Sequence, residues 1–167
     1  ATAAFHDSYR SGKDGNEEHA IGSAKKAKEY FESNLDNSYG VDAKDIPLIQ
    51  VAIAYHEYEE KIKGKVDRTQ ISKLCEEYGY KGDFERVVQI STVLKDADAL
   101  DRERFGTRGK LNPDYLRTDS AKSRKMVLFA QKVNGIYAKK MIERNYEADG
   151  QVNKFNAVKI LQSKRKE

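Results

Sequence analysis

Apolar residues recur at steps of three and four along almost the whole chain, and runs that alternate apolar with polar between turn residues are hard to find. The first spacing lines one face of a helix and the second one face of a strand, so the pattern restricts the chain to an all-α fold. At 167 residues the chain can enclose one hydrophobic core and is short for two, which predicts a single helical domain over 1–167. No stretch approaches the roughly 18 to 20 apolar residues that a membrane-spanning helix requires. With 2 prolines, 11 glycines and no low-complexity tract, collagenous and disordered readings are excluded as well.

The period divides the chain into segments. Ala1 to Asp7 reads as the last turns of a helix, and Ser11 to Gly15 as a polar loop. Asn16 can cap a helix running to about Asn34, with Ile21, Ala24, Ala27 and Phe31 as its inner face. After a polar loop over 35–44, Asp45 as cap and Pro47 in the first turn open a helix in which Ile49, Ile53 and His56 share a side. A short helix over Thr69 to Tyr78 closes on Gly79, and Asp83 caps the next, from Phe84 to about Arg104. Val87, Ser91, Leu94 and Asp98 form a stripe on that helix, so a carboxylate projects from the core side. Thr118 or Asp119 opens a long helix bearing Met126, Ala130, Val133 and Tyr137 on one side, and the chain ends in a basic tail.

Net charge is +4, a mild attraction for anions that falls short of the concentrated field of a dedicated nucleic-acid binder. The one cysteine, Cys75, cannot form an internal disulfide or a thiolate metal site, and no secretion signal opens the chain, so a cytoplasmic location is expected. The chain has three histidines, and each adjoins a carboxylate: His6 with Asp7, His19 with Glu18, His56 with Glu57. Imidazole nitrogen with carboxylate oxygen suits divalent Mn, Fe, Co, Ni or Zn, and oxygen ligands admit Mg.

Taken in order, Phe5-His6-Asp7, Glu18-His19 followed by Gly22-Ser23-Ala24, Tyr55-His56-Glu57 and Leu94 to Asp101 resemble the HD-domain metal-dependent phosphohydrolases. The resemblance covers about Ala4 to Phe129 and includes Leu111 to Thr118. It implies an HD-domain-like helical bundle and a divalent metal cofactor held by His6, Asp7 and Asp98. It further implies that His19 and His56 are the intervening histidines, which act with Asp7 in catalysis. Asp98 is preferred to Asp96 because Asp98 shares the inward face of Leu94, whereas Asp96 is turned away and expected in solvent or paired with a nearby cation. The family's first ligand, a His on an earlier helix, has no counterpart before Ala1, which suggests a domain shortened at its N-terminus and an incomplete site. Arg10 and Lys95 adjoin the ligands in sequence and are candidates to bind phosphate.

The implied function is metal-dependent hydrolysis of a nucleotide or other small phosphoester, with no membrane or nucleic-acid partner. Two other classes stay open: a noncatalytic helical binding or regulatory module with a degenerate site, and a basic helical nucleic-acid binder. The group Tyr55, Tyr58, Tyr78 and Tyr80 reads as residues at the core edge with their hydroxyls in water.

Overall fold

The computed structural model describes residues 1–9, 18–34, 40–101 and 112–135. They are helical, with no strand among them. Two compact units divide the chain, 1–98 and 99–167.

The first unit is built around α3 (Ile46–His56), which is buried on nearly every side: Ile46, Leu48, Ile49, Val51, Ala52, Ile53, Tyr55 and His56 all lie inside. A helix that is apolar all round must be enclosed by other elements. Around it pack α1 (Thr2–Phe5), α2 (Glu18–Ser33) and α4 (Arg68–Tyr78), and α5 (Phe84–Asp101) adds Val87 and Leu94 to the same core. Asp45 precedes α3 as expected, but its side chain does not cap the helix; it accepts from Arg86 at 2.9 Å. A 3-10 turn, Ala43–Asp45, runs straight into α3 and leaves Asp45 in a helical backbone conformation, from which its carboxylate cannot fold back onto the first turn.

The inner face of α2 is Ala20, Ala24, Ala27 and Phe31; Ile21 is 58% exposed and does not belong to it. At 100° per residue Ala20 lines up with the other three, whereas Ile21, although three residues before Ala24, stands at the edge of that face. Asp67 caps α4 by accepting from the Gln70 amide, and Gly79 closes it at φ 71°, with the Tyr80 amide returning to the Cys75 carbonyl. Tyr55 is not at a wet edge. It is fully buried, its hydroxyl donating to Glu60 at 2.9 Å and accepting from the Asp67 amide at 2.8 Å.

In the second unit the described residues include a 3-10 turn, Pro113–Tyr115, capped by Asn112, and α6 (Asp119–Lys122), capped by Thr118. The expected long helix is interrupted at Ser123, whose backbone leaves the helical region and whose hydroxyl accepts from the Met126 amide; helix resumes over 124–135. Asn16, the stretch from Arg102 to Arg104 expected to be helical, Tyr137 and the basic tail lie outside the described residues.

Candidate metal centre

The site begins with how α1 is anchored. The Phe5 ring stacks in tilted contact on Tyr30 and Phe31 of α2, with centroids 5.1 and 5.3 Å apart. The next residues turn back along α2. The Tyr9 amide donates to Ser23 Oγ at 3.1 Å, and Lys26 Nζ donates to the Ser8 carbonyl at 3.1 Å. Gly22 leaves room for the Tyr9 ring: a Cβ there would stand 2.4 Å from Tyr9 Cδ1. His6 and Asp7 are thus held beside the first turns of α2, where His19 is carried. The segment Gly22-Ser23-Ala24 has a physical use, with one residue for ring clearance, one for a hydrogen bond and one buried in the core.

His56 comes from the last turn of α3, and Asp98 from α5. One atom each of Asp7, His19 and His56 lies within 4.8 Å of the others. Asp7 Oδ1 is 3.3 Å from His19 Nε2 and 3.7 Å from His56 Nε2. Ligands about 2.1 Å from an ion stand about 3.0 Å apart at right angles and about 3.4 Å apart in a tetrahedron, so these spacings suit a shared divalent cation. On the other side of Asp7, His6 Nε2 is 3.7 Å from Oδ2 and 3.8 Å from Asp98 Oδ1. Residues 6, 7, 19, 56 and 98, far apart along the chain, are brought together.

The tautomers follow from the hydrogen bonds. A carbonyl oxygen only accepts, so His56 Nδ1, bonded to the Ile53 carbonyl, carries the hydrogen and leaves the Nε2 lone pair aimed at Asp7. His6 repeats the arrangement, with Nδ1 2.9 Å from the Ala3 carbonyl. His56 is 4% exposed, and its buried Nε2 has no hydrogen-bond partner among the described residues. Burial holds its pKa below the ordinary 6.5 against the Ile53 carbonyl and Glu57, which act to raise it. The Asp98 carboxylate, more than any other group, raises the pKa of His6, and burial opposes it. A buried lone pair 3.7 Å from the carboxylate oxygens of both Asp7 and Glu57 is the arrangement that a bound cation resolves. The donor set therefore fits a divalent metal.

Glu57 belongs to the site although the sequence reading assigned it no role. Its Oε1 is 3.0 Å from His19 Nε2 and 3.7 Å from His56 Nε2. The available signal was its place next to a histidine at a helix end: consecutive residues inside a helix diverge by 100°, but α3 stops at His56.

Lys95 corrects the expectation of a phosphate contact. Its ammonium is buried and donates to three backbone carbonyls at the end of α3. Asp96 is likewise 3% exposed rather than in solvent. The reason is common to both: α5 is covered on more than the Val87–Leu94 side, with Ser91, Thr92, Leu94, Lys95 and Asp96 all buried, so a single stripe understates its contacts. Arg10 lies outside the described residues. No helix among the described residues is long and apolar enough to cross a membrane. Compared with known protein families, curated proteins and solved structures, the chain matches none.

Proposed function

We propose that the chain is a divalent-metal-dependent phosphohydrolase or phosphodiesterase of HD type, acting on a nucleotide or another small phosphoester. The observation that carries this reading is the convergence of Asp7, His19 and His56 within 4.8 Å, with the His56 imidazole locked in the tautomer a metal requires. Two imidazoles and a carboxylate, without thiolate, form a donor set more typical of reactive sites than of structural ones. The choice of phosphoester rests on the motif order from His6-Asp7 to Asp98 and on a net charge of +4, which favours anions.

In this reading Asp7, His19 and His56 hold the ion. When bound, it supplies Lewis acidity, bringing the pKa of water toward about 7 and neutralising phosphoryl charge. Asp7 accepts the proton of the attacking water. Glu57, 29% exposed at the side chain, would offer Oε1 as a further ligand from the rim, 3.0 Å from His19 Nε2 and 3.7 Å from His56 Nε2, while Asp7 and Asp98 place negative charge on either side of His6 Nε2.

The test uses the full chain loaded with Mn²⁺ and bis(p-nitrophenyl) phosphate as a generic diester. Hydrolysis is expected, and Asp7→Ala is expected to lower the rate about 100-fold or more with helicity unchanged, as loss of a ligand and proton acceptor requires. A wild-type rate in a folded Asp7→Ala variant ends the proposal. Tight Mn²⁺ binding without hydrolysis of any phosphoester supports a noncatalytic metal-binding module instead.

A further inference from the structure

We propose that Lys95 is a positioning residue whose buried ammonium clamps the C-terminal end of α3 and thereby aims His56 and Glu57 at Asp7 and His19. The inference rests on the metal-dependent reading above. Lys95 is 7% exposed, and Nζ donates to the carbonyls of Tyr58 at 2.6 Å, His56 at 3.1 Å and Tyr55 at 3.3 Å. It also stands 4.8 Å from the centre of the Tyr55 ring. The last carbonyls of a helix lack their full set of intrahelical donors, the Tyr55 carbonyl here also accepting from the Tyr58 amide at 3.0 Å, and the negative end of the helix dipole lies there, so a cation is favoured at this place. An ammonium is a donor only, and each of these carbonyls is an acceptor within its reach.

The cost of failure makes the contact restrictive. A buried ammonium that loses a hydrogen bond is strongly destabilised, so the three carbonyls are held to one arrangement. Two of them, at residues 55 and 56, and the third, at residue 58, bracket the backbone from which the His56 and Glu57 side chains depart. Lys95 also precedes Asp98 by three residues on α5, which puts both on neighbouring parts of one helix face about 4.5 Å apart in rise. The same clamp therefore sets α5 in register with α3 and fixes the position of Asp98 relative to His56.

A lysine that served stability alone would change the unfolding midpoint and leave the ion affinity of the folded chain as it was. The test titrates Mn²⁺ calorimetrically into the full chain and into Lys95→Met, with helicity checked by circular dichroism. The variant is expected to bind Mn²⁺ about tenfold or more weakly, within the range seen when groups supporting metal ligands are removed. In the metal-free state, the ¹⁵N resonance of His56 Nε2 is expected to move from its wild-type position. Unchanged affinity in a folded Lys95→Met overturns the proposal. If the wild-type chain binds no Mn²⁺, the metal reading fails, and the metal-free His56 resonance still decides the positioning role: an unmoved signal overturns it. Should Lys95→Met not fold, the wild-type chain gives the answer. Its Lys95 ammonium is expected to show couplings across hydrogen bonds to the carbonyl carbons of residues 55, 56 and 58, and their absence overturns the clamp.

Discussion

At the scale of single residues, what separates the legible from the illegible is whether a contact leaves a mark on residue identity. His56 and Asp98 were visible because imidazole and carboxylate are rare choices on an apolar helix face, whereas His6, Asp7 and His19 stood out only through the motif order that resembles a known family. Lys95 was misread because its partners are backbone carbonyls, which every residue possesses. Glu57 was overlooked because the end of α3, where neighbouring side chains can reach one point, is a property of the backbone. Cys75 shows the plainer case. Its position on the inner face of α4 follows from the apolar spacing, and burial, more than the neighbouring Glu76, pushes its thiol pKa up. A raised pKa means less thiolate at neutral pH, so iodoacetamide should label the folded chain slowly and the urea-unfolded chain at the rate of an ordinary thiol. Equal rates in the two states, measured by mass spectrometry, would contradict the burial of α4.

At the scale of elements, two glycines give opposite predictions. A Cβ at Gly22 would meet the root of the Tyr9 ring at 2.4 and 2.5 Å, so Gly22→Ala must displace the turn that carries His6 and Asp7. A loss of about 1–3 kcal/mol in urea unfolding is expected from the overpacking, accompanied by weaker Mn²⁺ binding. Gly79 has φ 71° and nothing within 4 Å of its Cβ position. Gly79→Ala therefore costs about 1–2 kcal/mol through backbone strain alone and leaves Mn²⁺ affinity unchanged. The end of α4 and the opening of α5 were readable because Gly79 and Asp83 each have a stereochemical reason to stand where they do, whereas the Asp67 cap of α4 was not read, since an aspartate in a charged connection carries no mark of its bond to the Gln70 amide. The break at Ser123 was not, because serine is also acceptable within a helix and only its hydroxyl bond to the Met126 amide reveals the interruption.

At the scale of the whole molecule, all the residues of the candidate centre fall in the unit 1–98 and come from the α1 turn, α2, α3 and α5. The all-α class was legible from periodicity alone, whereas the way four separated segments meet depends on packing that no local window contains. A ligand bound to the folded chain and not to the unfolded one stabilises it by about 2.7 kcal/mol at a hundredfold excess over its Kd. Mn²⁺ at that excess should raise the thermal midpoint, chelator should return it, and Asp7→Ala should show no response to either. The span from His6 to Asp98 has a further consequence for biogenesis. During synthesis the early histidines leave the ribosome long before the late carboxylate does, so no complete pocket exists until most of the first 98 residues have emerged. In the proposed metal-dependent reading, firm capture of a cation would thus wait for the finished domain: the ligand set closes at residue 56, but Lys95 and Asp98, which support it, emerge later.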